Sequence, residues 1–195
     1  MRNTGDLKEK IIESVIELIN DSGGDVSYIT TRRIAEKAGI GIGLINYHFQ
    51  AKENLIKICV QRSIYEMLSA MRPSTTDAST VKDKLIQMGK MICDFYMLNP
   101  AVSRISILAD LQATAQSDNI NSHNKGAINA IFADSAMNDT DKAVIPFMFT
   151  SAIQFALLRK EAMTALGYDF DSKKDRDTFV EDIAEKLFHE NNENN

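Results

Sequence analysis

Proline and glycine are scarce in this chain, three and nine among 195 residues. Long irregular connections draw on both as turn formers, so few such connections are expected. Cysteine is scarcer still: Cys59 and Cys93 stand far apart, with no Cys-x-x-Cys and no histidine company, which argues against a zinc site. Buried free thiols are the plain reading of the pair. A redox switch is the sharper one, and it requires an exposed thiolate of lowered pKa. The three histidines, His48, His123 and His189, are scattered, and there is no Gly-x-Ser-x-Gly, no phosphate-binding glycine loop and no His-Glu-x-x-His. Catalytic machinery therefore has no foothold, and neither an enzyme nor a metal or cofactor is expected. Nor is there an apolar run of 18 residues, and Met1 to Asp6 lead straight into an amphipathic segment rather than a signal sequence. A cytoplasmic protein without membrane contact is the expectation.

A basic excess is also lacking, since the net charge is −5. The charge is unevenly divided, however. Residues 1–62 hold nine Lys/Arg against eight Asp/Glu, while residues 63–195 hold thirteen against nineteen. Phosphate attraction depends on local placement rather than on the total, and Arg32, Arg33, Lys37 and Lys52 fall close together in the N-terminal third.

What the chain does have is helical periodicity almost throughout, with 44% hydrophobic residues to fill a core. Leu7, Ile11, Val15 and Leu18 form one stripe, with Ile12, Ile16 and Ile19 beside it, predicting a first helix over about 7–20 that Asp21-Ser22-Gly23-Gly24 stops. Further helices are expected over about 52–71, 80–98, 102–115 and 125–136, with a polar loop at 116–124. A long helix follows over about 142–166, capped by Asp139 with Pro146 in its early turns and Gly167 closing it; the last runs from Ser172 or Lys173 to His189. The tail 191–195 is expected to fray. The fold class is all-α, with about nine helices.

Between the first of these helices and the one opening at Lys52 lies the most informative stretch. Thr30 or Thr31 can cap a short helix in which Ile34, Ala35 and Ala38 share one face, and Gly39 stands where a left-handed turn is needed to stop it. After the turn, Ile45 and Phe49 are spaced to face that helix, leaving Ile42, Gly43, Asn46, Tyr47 and His48 on or beside the opposite side. Two short helices around a tight turn are the layout of a helix-turn-helix. An ordinary helical hairpin whose glycines only make turns satisfies the same generic pattern.

The particular residues narrow the choice. Thr30-x-Arg32-x-Ile34-Ala35-x-x-Ala38-Gly39-Ile40, followed by Gly43-x-Ile45-x-Tyr47-His48-Phe49-x-x-Lys52-Glu53-x-Leu55, closely resembles the N-terminal signature of the tetracycline-repressor (TetR) family of bacterial transcription regulators. In motif the resemblance spans about residues 7–60; beyond that, length and helical pattern agree. One departure is Gly41-Ile42, where many members carry a Ser-Lys or similar polar pair. Another is the loop over residues 22–28, about a residue longer than usual and without the aromatic that commonly follows its glycine.

The resemblance implies a three-helix helix-turn-helix DNA-binding domain over residues 1–51 and a helical ligand-binding and dimerisation domain over 52–195. The last two helices, about 140–190, would form the interface of a homodimer, with stripes Phe149, Ile153, Ala156, Leu157, Met163 and Leu166 on one and Phe179, Ile183, Leu187 and Phe188 on the other. Packing within their own subunit is the alternative for those stripes. By carry-over from matching positions, Thr30, Thr31, Tyr47, His48 and Lys52 would hold phosphates of double-stranded DNA, with Arg32 beside them. Ile42, Gly43, Leu44 and Asn46 would approach base edges of a palindromic operator, Asn46 as the reader of adenine. A small apolar or amphipathic effector is implied among the middle helices. Met88, Met91, Phe95, Tyr96, Leu111, Gln112, Asn129, Phe132, Phe149 and Ile153 are the candidates to line its site, although Met and Phe at helical spacing more often mean core. A repressor released by that effector is the implied function. The competing reading is a helical ligand- or partner-binding protein that keeps the motif without using it on DNA, favoured by Gly41-Ile42, the near-neutral N-terminal unit and the acidic whole.

Overall fold

The computed structural model describes residues 4–71, 80–112, 130–133 and 135–189. Among the described residues every regular element is helical. Helix α1 spans Thr4–Asp21, and a 3-10 turn at Val26–Tyr28 leads to α2, Thr31–Ala38. Next come α3, Ile42–Phe49, then α4, Lys52–Met71, α5, Val81–Leu98, and α6, Pro100–Gln112. The C-terminal part holds α7, Asp139–Leu158, α8, Lys160–Ala165, and α9, Lys173–His189. The loop expected at 116–124 and the tail 191–195 lie outside the described residues, as does most of the helix expected at 125–136, of which a turn at 130–133 is helical.

The chain packs as two compact units, Met1–Glu66 with Asn99–Ser122, and Met67–Leu98 with His123–Asn195. This division by packing differs from the one drawn from the motif at residues 51 and 52. Most of α4 and all of α6 side with the N-terminal helices, because their apolar faces complete one core. Ile11, Val15, Leu18 and Ile19 of α1 are buried there with Ile34, Ala35 and Ala38 of α2, Ile45 and Phe49 of α3, Leu55, Ile56, Val60 and Ile64 of α4, and Val102 and Ile105 of α6. The seam between α1 and α6 continues through Gly24, whose φ is +82° and whose Cα faces Ala101; a Cβ built there would lie 2.6 Å from the Ala101 carbonyl oxygen. Only glycine accepts both that backbone angle and that approach.

The second unit is built on α5, α7 and α9. Leu85, Met88, Ile92, Cys93 and Tyr96 of α5, Ile145, Phe149, Ile153 and Ala156 of α7, and Val180 and Ala184 of α9 are buried. Gly89 lets the three helices close up, since a Cβ there would stand 2.5 Å from Phe149 Cζ and 2.8 Å from Val180 Cγ1. Ion pairs run along the α5 and α9 flanks: Lys82 with Glu185 at 2.6 Å, Lys173 with Asp94 at 2.7 Å, and Lys90 with Glu181. Arg176, 6% exposed, donates to the Phe170 carbonyl at 2.8 Å and reaches Asp94 at 3.3 Å.

Two expectations change here. The single helix expected over about 142–166 is two. Asn138, rather than Asp139, is its cap, accepting from the Asp141 N–H at 2.9 Å, and the chain bends at Arg159 (φ −130°, ψ 49°) before α8. The bend lets Met163 and Phe170 fold back onto Ala156 in a small cluster with Leu157, Tyr168 and Phe179. Most of the stripe expected to face a second copy is turned inward: Phe149, Ile153, Ala156 and Met163 are buried within their own unit and Leu157 is half-buried, while Leu166 is exposed. On α9, Phe179 packs edge-on against Tyr168 and Phe170, and Phe188 stacks on Phe132. The outward face of α7 carries Val144, Phe147, Met148 and Phe155 instead.

Candidate nucleic-acid interface

The interface is assembled by local signals. Asp25 holds the 3-10 turn by accepting from Ser27 N–H at 2.9 Å and Ser27 Oγ at 2.7 Å, bonds that draw its pKa below the ordinary carboxylate value. Thr30 then caps α2, its Oγ1 accepting from the Arg33 N–H at 3.2 Å. At the far end Gly39 takes φ 63°, ψ 42°, its N–H returning to Ala35 and Glu36, while Ile40 donates to the Ala35 carbonyl at 3.0 Å. This is the paired C-terminal closure that a left-handed glycine permits. Gly41 starts α3 without a side-chain cap, and Gln50, at φ 66°, ends it.

Helix α3 buries Ile45 and Phe49 and exposes Ile42, Gly43, Leu44, Asn46 and Tyr47. His48 is half-buried, its ring between Tyr47 at 5.0 Å and Phe49 at 6.2 Å. Tyr47 is the most open, at 81% exposure. Three large apolar side chains uncovered on one eight-residue helix, with an amide between them and no carboxylate, suit an edge that offers both methyl groups and hydrogen-bonding atoms better than they suit water.

The cations are less free than their clustering in the sequence suggests. Arg32 pairs with Glu36 at 2.9 Å, both largely exposed, so that contact is easily exchanged. Lys37 is tied to α1 through Asp21 at 2.9 Å and Glu17 at 3.1 Å, which raises its pKa and holds α2 against α1. Lys52 donates to the Ile29 carbonyl at 3.1 Å and stands 3.8 Å from Glu53. Arg33 lies over the Tyr28 ring, 3.6 Å from its centre, and donates to the Tyr28 carbonyl at 3.3 Å. Two successive carbonyls of the turn into α2 are thus each held by a cation. The Tyr28 and Arg33 pairing had no mark in the sequence, because it depends on the 3-10 turn bringing residue 28 beneath residue 33. Thr31 is half-buried on the first turn of α2.

The residues expected around an effector fall in different places. Met88, Tyr96, Phe132, Phe149 and Ile153 are buried in the second unit, with Met91 and Phe95 half-buried beside them. Leu111 and Gln112 are exposed on α6 in the first unit, and Asn129 lies outside the described residues. Gln112 lines an open cleft of about 660 Å³ between α6 and the loop Ser22–Ser27. Cys59 and Cys93 are both buried, and burial pushes each thiol up to about 12. Neither presents the lowered pKa that a redox switch requires. Among the described residues no group of three or more His, Cys, Asp or Glu is placed to hold a metal ion.

A capped α2, a left-handed glycine turn and a second short helix with an open, carboxylate-free face define a helix-turn-helix unit, here joined to a larger helical body. Comparison with known proteins agrees. Residues 16–58 match the family model of bacterial regulatory proteins of the tetR family. Among curated proteins no sequence relative matches. A TetR-like transcriptional regulator from Rhodococcus sp. RHA1 superposes with a TM-score of 0.66 at 16% identity, over 97% of this chain and 99% of that one. The transcriptional regulator FadR from Bacillus subtilis, in complex with stearoyl-CoA, gives 0.64 at 16% identity over 92% and 96%. The fatty acid degradation regulator FadR from Bacillus halodurans gives 0.62, also at 16% identity and over 92% and 96%. Residues 16–58 thus resemble the tetR family in sequence, and over nearly the whole chain the fold is that of TetR-like regulators. The N-terminal unit is a helix-turn-helix of the kind that family model describes.

Proposed function

We propose that the protein is a homodimeric repressor that binds a palindromic operator and releases it on binding a small apolar or amphipathic effector. The observation that carries the DNA half of this reading is the exposed α3 face of Ile42, Gly43, Leu44, Asn46 and Tyr47, set on α2 by the Thr30 cap and the Gly39 turn. In this reading Thr30, Thr31, Tyr47, His48 and Lys52, with Arg32, meet phosphates and fix the register, while Ile42, Gly43, Leu44 and Asn46 meet base edges.

The homodimer is supported by α7. Val144, Phe147, Met148 and Phe155 are uncovered on a helix whose opposite side is core, Phe147 at 71% exposure. By length and composition alone Asp139–Leu158 would also cross a membrane. The buried stripe from Ile145 to Ala156 packs it instead into the second unit, and a second copy of the same face is the covering that matches two-fold operator symmetry. The effector class rests on the Met and Phe content of the second unit and on the B. subtilis FadR fold, which holds an acyl thioester. Release requires that operator and effector prefer different dimer states, each then lowering affinity for the other by the same factor.

Selection of bound sequences from a random duplex pool at fixed moderate salt tests the reading. Enrichment of a palindrome is the expected result. Indifference to sequence and to salt would favour the second reading, a helical ligand- or partner-binding protein, for which the internal pairing of Lys37 and Lys52 is the specific support.

A further inference from the structure

Gly43 has no explanation inside the protein, whereas Gly41 serves as the N-cap of α3. A Cβ built on either would meet nothing within 4 Å, and neither has positive φ. Glycine in the first turn of a helix weakens it and returns no packing here. Open space at a glycine on an exposed helix face is what a second body needs for close approach of the backbone. On either side of Gly43 stand Ile42 and Leu44, at 45% and 40% exposure, and one turn on from Ile42 stands Asn46.

The chemistry of this surface is selective. Helix α3 carries no Lys or Arg, and the cations nearest in sequence are occupied: Arg33 on Tyr28, Lys37 on Asp21 and Glu17, Lys52 on the Ile29 carbonyl. Guanine presents two acceptors to the major groove, and aliphatic side chains pressed against them would strip their water without supplying donors. Thymine presents a 5-methyl group, which an isoleucine or leucine covers with gain on both sides.

We infer, on the reading proposed above, that α3 recognises the 5-methyl edge of thymine: Ile42 and Leu44 seat on methyl groups of an A·T-rich half-site core, and Asn46 takes an adenine within it.

The test starts from the operator enriched by selection. Each thymine of the half-site is replaced in turn by deoxyuridine, which removes the methyl and leaves the Watson–Crick and groove hydrogen-bonding atoms unchanged, and affinity is measured at fixed salt. One or two positions per half-site are expected to lose about fourfold each, the worth of one methyl-sized group returned to water. Ile42→Ala combined with Leu44→Ala is expected to bind the thymine and uracil duplexes equally, and because both side chains are exposed the variant's circular dichroism should be unchanged. An enriched operator that is indifferent to uracil at every position, or whose core is G·C, overturns this inference and leaves the regulator reading standing. Absence of any enriched sequence overturns both.

Discussion

Helices α3 and α7 both leave large apolar side chains in the open, yet they do so in opposite company. On α3, Ile42, Leu44 and Tyr47 surround an amide and lie beside glycines with free space above them. On α7, Val144, Phe147, Met148 and Phe155 share an apolar face interrupted by Ser151, with a buried stripe behind it. A mixed surface with room for close approach fits a groove that presents both methyls and hydrogen-bonding atoms. A mostly apolar face on a helix already half in a core fits another such face, as in obligate subunit contacts. Exposure alone does not distinguish the two; the neighbours of each exposed side chain do.

The contrast can be broken most severely on α7. Phe147→Glu places two carboxylates across the proposed two-fold contact, where like charges cost several kcal/mol. Sedimentation is expected to show a dimer weakened by more than about a hundredfold, with operator affinity lost alongside and the melting temperature of the fold little changed. A dimer that persists would remove this face from the interface. On α3 the effect is smaller and selective: Asn46→Ala is expected to flatten preference at one base position per half-site by about 1–3 kcal/mol. Its counterpart Lys52→Ala should weaken all sequences about equally and reduce the salt slope by about 1, with some loss of stability because Lys52 also holds the Ile29 carbonyl. Equal losses on specific and random duplexes for Asn46→Ala would remove it from the reading role. The smallest effect sharpens the comparison most. Gly43→Ala should raise thermal stability, by up to about 1 kcal/mol from helix propensity, while lowering operator affinity. Gains in both, measured on one preparation, would mean that the open space at residue 43 serves no partner.

The sequence made the local part of this structure readable. Thr30 and Gly39 act within one turn of themselves, so their roles as cap and closure follow from residue type and spacing. The extents of α4, α5 and α9 were equally open to view, since polar residues and breakers mark their ends. The non-local part was not readable. The tie of Lys37 to Glu17 and Asp21 depends on how α2 crosses α1, and it occupies a cation that lies within the motif. Helix α7 was misread for a different reason. It is apolar on nearly every side, so periodicity supplies no polar face from which to tell inside from outside, and most of the stripe given to the partner is core, with Leu166 left exposed. The bend at Arg159 was hidden because apolar spacing continues through it to Leu166; folding Met163 and Phe170 back onto Ala156 outweighs continuing the helix. The residues of the exposed face follow from α3 being a helix with Ile45 and Phe49 inward, whereas the open space at Gly43 required coordinates.

The contact of Gly24 with Ala101 has a practical consequence for anyone wishing to transplant the helix-turn-helix. Grafting residues 1–51 onto a foreign body would strip α1 and its loop of the helix that Gly24 leans on, and would bare Val102 and Ile105 in the donor left behind. The transplantable cassette of this protein is discontinuous: it needs the segment beginning at Asn99 as well as the N-terminal helices, so a chimera spliced at a single point inherits half a seam.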